Sequence, residues 1–455
     1  MSRKHNKLNA MEPMVLAVTK LGHDGRGIAH REDGKLVFVD GALPGEQVVV
    51  KLTNLHKKYD EGRVIEVITA SSDRVEAPCA HFGVCGGCSL QHMSREAQLT
   101  LKQSVLAEHL QHFGGIVPQE WLPPLVSDNI SYRRKARMGV RYVIKKEKLL
   151  VGFRERQASF LAELDSCVVM DPRLGLSITA FRELINGLEA RDHIPQIEVA
   201  AGDELDGVAP VALVFRHMNE LSKSDRQALI DFCAERGWQC YLQPGNYDTV
   251  HKVWPEDGPD RLAYELPFQT PNGTDLRLAF HPNDFTQVNA EINQRMLPLA
   301  LDLLDIQPED RVLDLFCGLG NFTLPLATKA REVVGVEGSQ AMVLRGQENA
   351  TANGLNNVSF YMHDLTKEIA NQPWATLGFE RVLIDPPRSG ALEVLPHIVS
   401  LKPKRVVYVS CNPATLARDA GELAKAGYVL LKAGIMDMFT HTTHVESIAV
   451  FEKRR

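Results

Sequence analysis

The chain has 455 residues, too many for a single hydrophobic core, so two or three domains are expected. Hydrophobic residues make up 44% and charged residues 24%, near globular averages, and no run approaches the ~20 apolar residues of a membrane span, which sets a membrane role aside. The opening MSRKHNKLNAMEP lacks the apolar core of a signal peptide. A cytoplasmic location is therefore expected, and the eight cysteines read as thiols of a reducing compartment.

Residues 1–12 read as a flexible tail. From 13 to 73, short alternating runs such as MVLAVTKL and KLVFVDGALPGEQVVVKLTN are punctuated by glycine, the pattern of a small antiparallel β-barrel. The stretch GRGIAHREDGKLVFVDGALPGE resembles a TRAM domain, a small oligonucleotide-binding barrel, and RNA binding by this part rests on that resemblance. Next comes CAHFGVCGGC, with Cys79, Cys85 and Cys88, three thiols where a metal site or cluster wants four ligands. In SREAQLTLKQSVLAEHLQHFGG the residues Leu99, Val105, Leu106, Leu110 and Phe113 recur at helical spacing. Ser94 is placed to cap that helix, and Gly114 with Gly115 to end it.

The net charge of −6 hides a contrast: Ser131 to Arg156 carries ten Lys or Arg against Glu147 and Glu155. Folded as strands with one charged face, that segment is an electrostatic footprint for phosphate; the plainer reading is a solvated sheet face. Residues 74–285 as a whole mix such strands with helices, an α+β pattern.

From about 286 the pattern changes to short apolar runs separated by helical lengths: RVLDLFCG, REVVGVEG, RVLIDPPRSG, KRVVYVSCNP and ESIAVFEK. That is the signature of a doubly wound α/β sheet of Rossmann-like form. After the strand carrying Asp314, Gly318 and Gly320 allow close approach of backbone to a ligand. Glu337, roughly 20 positions on, is spaced to hold two ribose hydroxyls. A nicotinamide dinucleotide is disfavoured because GLGNFT lacks the third glycine and Asp314 would face its phosphates. S-adenosylmethionine brings a cation and no phosphate. The third strand ends in IDPPRSG, where Arg388 replaces the aromatic residue usual in amino-group methyltransferases, leaving Asp385 to accept a hydrogen bond from base or cofactor. Cys411 stands at the tip of the next strand, before Asn412-Pro413 and a helix start, a setting that favours thiolate. Methylation at carbon 5 of a pyrimidine needs such a thiolate, because C5 becomes nucleophilic only after addition at C6. A base must then take the C5 proton, and Glu446 in FTHTTHVESIA is available.

The ordered motifs DFTQVN, DLFCGLGNFTLPLA, DPPRSG, VSCNP and TTHVES resemble those of the RNA uridine C5-methyltransferase family, and the resemblance covers nearly the whole chain. It implies a class I methyltransferase domain at 286–455, Cys411 as nucleophile and Glu446 as C5 proton acceptor. It implies adenosylmethionine contacts from Gln287, Phe316, Asn321, Glu337, Asp364 and Asp385; relatives often carry Asn at the position of Asp364. Because the chain has both the barrel and the cysteine stretch, it is similar to the branch that methylates uridine 1939 of 23S rRNA, and a monomer is expected. A different or additional rRNA or tRNA uridine is the nearest alternative. An iron-sulfur redox protein with an RNA-binding barrel is the alternative from another class.

The fourth ligand for Cys79, Cys85 and Cys88 is found by elimination. Cys233 lies on an apolar helix face, Cys240 in a strand, Cys317 in the cofactor loop, and Cys411 is committed to chemistry; His81 is too near Cys79. Cys167 remains, and the resemblance agrees. Spacing leaves zinc and iron open. The resemblance implies a [4Fe-4S] cluster, and hence a central iron-sulfur domain over 74–285 in which the helix at 94–114 packs with the catalytic part.

Overall fold

The computed structural model describes residues 8, 11–128, 130–156 and 158–454, so the tail expected at 1–12 lies almost wholly outside the described residues. Two compact units emerge. The first comprises Met1–Val105, Arg154–Ser159 and Phe439–His444; the second comprises Leu106–Phe153, Phe160–Met438 and Val445–Arg455.

The first unit begins with a closed barrel of β1 (Met14–Leu21), β2 (Gly27–His30), β3 (Leu36–Asp40), β4 (Gln47–Leu55) and β5 (Tyr59–Thr69), in the order β1-β2-β3-β5-β4. Alternation fills its interior with Leu16, Val18, Ala29, Val37, Val39, Val48, Val50 and Leu52. The barrel is not wholly antiparallel, as the strand alternation suggested. After the β4–β5 hairpin, β5 closes the barrel by running parallel to β3.

The cysteine stretch follows as a series of turns stitched to the unit's two short inserts. Cys85 bridges Glu155, the Gly86 N–H donates to the Arg154 carbonyl (2.8 Å), and the Ser89 and Leu90 N–H groups share the His441 carbonyl (2.8 and 2.9 Å). Arg156, at the end of the basic segment, pairs with Asp40 (2.6 Å). The expected helix runs Arg95–His109, and Ser94 caps it through the Ala97 N–H (3.3 Å). It does not continue as α-helix to 114. Leu110–Gly114 is a π-turn ended by Gly115 in the left-handed region, and the extra residue in that turn swings Phe113 out to 67% exposure.

In the second unit, a short β6 (Glu120–Trp121) precedes β7 (Lys135–Val143), β8 (Lys148–Gly152), β9 (Gln196–Ala201), β10 (Val211–Arg216), β11 (Gln239–Gln243) and β12 (His251–Trp254). The last six form one sheet in the order β12-β11-β10-β9-β7-β8. Ala136, Met138 and Val140 of β7 are buried, whereas Arg137 and Arg141 are exposed, so β7 does alternate. The basic segment is not a free charged face, however. Arg134 pairs with Asp203 (3.1 Å), Arg137 with Glu198 (3.0 Å) and Lys148 with Glu163. Lys135 is inserted against the Asp284 carbonyl, and burial pulls its ammonium down to about 8. Cys233 and Cys240 are buried, as read from the sequence.

A hairpin of β13 (Leu262–Gln269) and β14 (Asp275–Phe280) leads into helix Ala290–Leu304 and the second sheet. Its strands are β15 (Arg311–Leu315), β16 (Glu332–Glu337), β17 (Val358–Met362), β18 (Arg381–Ile384), β19 (Arg405–Ser410), β20 (Tyr428–Met436) and β21 (Glu446–Lys453). With β6 added at the edge, the order is β17-β16-β15-β18-β19-β21-β20-β6. Strands β15 to β19 are parallel; β15, β16, β18 and β19 are almost fully buried, which explains their unbroken apolar runs, whereas the edge strand β17 is partly exposed. The order reverses between β15 and β18, so a ligand crevice opens at their carboxyl ends. Strand β21 inserts antiparallel between β19 and β20.

Candidate active site

The crevice at the carboxyl ends of β15, β16, β18 and β19 collects most of the site residues expected from sequence. After β15 the chain turns sharply: Phe316 has φ 64°, Gly318 φ 55° and Gly320 φ 97°. At Gly320 an added Cβ would lie 2.8 Å from Leu324, so the residue serves both the turn and close packing. Glu337, at the end of β16, is oriented by two backbone donors, the Gly318 N–H to Oε2 (3.1 Å) and the Ser339 N–H to Oε1 (2.9 Å). Asp364 lies just beyond β17, exposed. The Thr366 hydroxyl (2.7 Å) and N–H (3.0 Å) bond to it and hold its carboxyl below the usual range.

Asp314 does not face the crevice as anticipated. Its side chain is fully buried within β15, accepts from the Thr323 hydroxyl (2.6 Å) and is pushed up to about 8 by burial. Asn321 is largely engaged inside the protein. It exchanges amide hydrogen bonds with Asn293 (3.0 and 2.8 Å), and its Oδ1 also accepts from the Tyr264 hydroxyl (2.9 Å). Those bonds use both Oδ1 lone pairs and one amide hydrogen, leaving one N–H for a ligand. Gln287 is half-buried in the segment before helix Ala290–Leu304.

Asp385 follows β18 directly, its N–H bonded to the Leu315 carbonyl (3.3 Å), and burial raises its carboxyl to about 7. The DPPRSG loop is clamped onto helix Pro413–Lys425. Asn412 Nδ2 donates to the Arg388 carbonyl (3.0 Å), Arg418 to the Ser389 carbonyl (2.9 Å), and the Ala391 N–H to Asp419 (2.7 Å). Gly390, with φ 84°, permits the clamp, since a Cβ there would lie 2.6 Å from Arg418 and 2.7 Å from Asp419.

Cys411 follows β19 and Glu446 opens β21. These strands pair antiparallel from Arg405↔Glu452 to Ser410↔Ser447. Extending that register by one residue puts Cys411 directly across from Glu446, where facing Cα atoms lie roughly 4.5–5.5 Å apart. The Ser447 hydroxyl donates to the Ser410 carbonyl (3.3 Å) and fastens the ladder at that end. This juxtaposition was not legible from sequence, because the apolar run of β21 does not reveal its direction or its neighbours. Arg388, exposed in the DPPRSG loop, also acts on the site.

The thiol does not behave as its place before a helix start suggested. Burial, with the carboxylates of Glu446 and Asp385, pushes Cys411 above the ordinary thiol value, and Arg388 opposes them. Burial and two acids outweigh one cation.

The cysteines expected to hold iron and sulfur are half-buried and form no disulfide among the described residues, and the Gly87 N–H points at Cys85 Sγ (3.4 Å). Cys79, Cys85 and Cys88 belong to the first unit and Cys167 to the second. Each thiol suits an iron ligand individually. Among the described residues, however, no group of three or more His, Cys, Asp or Glu is arranged to hold a metal ion.

Strand order, glycine turn and ribose-spaced acid together define a class I methyltransferase domain. A model of the tRNA (uracil-5-)-methyltransferase family matches residues 268–454 and a TRAM domain model matches 15–65. The fold resembles the crystal structure of Pyrococcus abyssi tRNA (uracil-54, C5)-methyltransferase in complex with S-adenosyl-L-homocysteine. The TM-score is 0.71 at 22% identity, over 96% of this chain and 100% of that one. The 23S rRNA (uracil(1939)-C(5))-methyltransferase RlmD of Alcanivorax borkumensis is 56% identical over 455 residues, all of both chains. That of Alkalilimnicola ehrlichii is 54% identical over 454 residues, 100% of this chain and 99% of the relative. The chain belongs to the RlmD family of 23S rRNA (uracil(1939)-C(5))-methyltransferases.

Proposed function

We propose that this protein transfers the methyl group of S-adenosylmethionine to carbon 5 of uridine 1939 in 23S rRNA. Family membership along the whole chain supports the substrate. The observation that carries the chemistry is the pairing of Cys411 with Glu446 one step beyond the β19–β21 ladder. Cys411 loses its proton to solvent and adds to C6 of the uracil, which makes C5 the nucleophile that takes the methyl group from the sulfonium, breaking its S–CH3 bond and releasing S-adenosylhomocysteine. Glu446, across the strand, removes the C5 proton, and the returning electron pair expels Cys411. Asp385, half-protonated near neutral pH, faces the base or the cofactor as donor or acceptor. Glu337 takes the ribose hydroxyls, with Gln287, Phe316, Asn321 and Asp364 completing the cofactor seat. The division into barrel (13–73), central domain (74–285) and catalytic domain (286–455) follows the same reading. A cytoplasmic location follows from an rRNA substrate, and among the described residues no helix is long and apolar enough to cross a membrane.

Labelled S-adenosylmethionine and 23S rRNA lacking the modification test the reading. Methyl transfer confined to one uridine is expected; a protein that binds the RNA and transfers nothing sinks it. The resemblance to the RNA uridine C5-methyltransferase family also supports a [4Fe-4S] cluster on Cys79, Cys85, Cys88 and Cys167, with a structural rather than a catalytic role. Iron and sulfide analysis of anaerobically purified protein decides this, and stoichiometric zinc without iron refutes it.

A further inference from the structure

A cleft of about 440 Å³ in the second unit lies outside the site just described; its lining includes Tyr132, Arg134, Arg173, Asp203, Glu204 and Glu291. Its volume is that of a small-molecule site. Two backbone stitches hold its walls together: the Arg134 N–H bonds the Val288 carbonyl (2.9 Å), and Arg133 bridges Asn289. The cleft thus joins the start of the basic segment to the DFTQVN segment that holds Gln287. On its rim Ser131 is forced into the left-handed region (φ 58°), with its N–H bonded to the Val168 carbonyl (2.8 Å); non-glycine strain of this kind gathers at ligand clamps.

The charges define the ligand. Both guanidiniums are already neutralised: Arg134 by Asp203 (3.1 Å), and Arg173 by Asp171 through two bonds (2.9 and 2.7 Å). Glu291 pairs with Arg295 (2.5 Å) and accepts from the Asp128 N–H (3.1 Å), which leaves the carboxylates of Asp128 and Glu204 in the lining as the excess over the arginines, so a phosphate would be repelled. What such walls accept is a flat group bearing N–H donors. Bases stack on aromatic rings and guanidinium planes, here Tyr132 and Arg173, since Arg134 is 7% exposed and lies against the Tyr264 ring (5.4 Å), and carboxylates accept from exocyclic amines. Uracil offers only its N3–H and no exocyclic amine, so it fits less well.

We propose that this cleft seats a second, unstacked nucleotide of the RNA substrate, an amine-bearing base (adenine, cytosine or guanine) separate from the uridine that meets Cys411. The proposal rests on the RNA methyltransferase reading and deepens it, adding a base-reading contact that selects the RNA around the target. The test is an abasic scan of a 23S rRNA fragment containing the target uridine, with affinity for the whole protein measured by filter retention and methyl transfer measured alongside. One abasic position flanking the target is expected to weaken binding by wild type about tenfold, the size of one lost base stack. The same position should cost Tyr132→Ala less than twofold. Glu204→Gln, exposed and safe for folding, should lose the preference for an amine-bearing base there without losing the abasic effect. Wild type that methylates the fragment, with no position coupled to either variant, overturns this inference and leaves the proposed function standing. Absence of methyl transfer counts against the function instead, and the binding arms still report on the cleft.

Discussion

Cys411 combines a nucleophile's position with a thiol held above its ordinary value, so its reactivity should be limited by the thiolate fraction. Alkylation by iodoacetamide should rise about tenfold per pH unit below that pKa, because the deprotonated form alone reacts. Arg388→Gln removes the opposing cation and should move this profile to higher pH; an unchanged profile would show that the guanidinium does not act on the thiol. Cys411→Ala should abolish methyl transfer, whereas Glu446→Gln should accumulate a denaturation-resistant protein–RNA adduct visible as a slow gel band, since addition proceeds but proton removal does not. Asp314 bears on stability. Its carboxyl, at about 8 when folded against 3.8 ordinarily, keeps a proton that the unfolded chain loses. Its contribution is therefore fully present below about 4 and is lost as pH rises through about 8, at roughly 1.4 kcal/mol per pH unit. Urea unfolding of Asp314→Asn should show a flatter pH dependence over that window. The placement of Asp385, Cys411 and Glu446 at strand tips was readable from motif spacing. The raised thiol was not, because it depends on carboxylates that are distant in sequence.

Helix Pro413–Lys425 does more than follow the nucleophile. Through Asn412, Arg418 and Asp419 it grips the DPPRSG loop, so Asp385 and Arg388 are set by the same element that starts beside Cys411. Gly390→Ala meets two of those side chains and adds strain at positive φ. It should cost about 1–3 kcal/mol in thermal unfolding and lower kcat more than affinity for RNA. Most elements of the second sheet were legible because strands buried on both faces leave unbroken apolar runs. The end of the 95–114 helix was not, because a π-turn inserts one residue without disturbing the apolar spacing that precedes it. The parallel β3–β5 contact was equally invisible, since alternation reports which face is buried and not which way a neighbour runs.

Across the whole molecule, the ten basic residues of the 131–156 segment predict a stronger electrostatic surface than the fold delivers. Carboxylates contributed from elsewhere in the chain, Asp203, Glu198 and Asp40 among them, consume several, and composition cannot reveal such pairing. Arg141, Lys145 and Lys146 remain without an ion pair among the described residues. Replacing these three with Gln should reduce the slope of log affinity for single-stranded RNA against log salt by about 2, at roughly 0.7 per phosphate contact. An unchanged slope would move the RNA path elsewhere. The β19–β21 ladder carries a different lesson, about tolerance to change. Six residue pairs in register, and not the fit of any core side chain, set the reach from thiol to carboxylate. Substitutions can thus drift through the hydrophobic interior while the gap between nucleophile and base stays the same. A single inserted or deleted residue within either strand would put Cys411 and Glu446 on opposite sides of the sheet. Lineages carrying this reaction should therefore vary freely in composition here and scarcely at all in length.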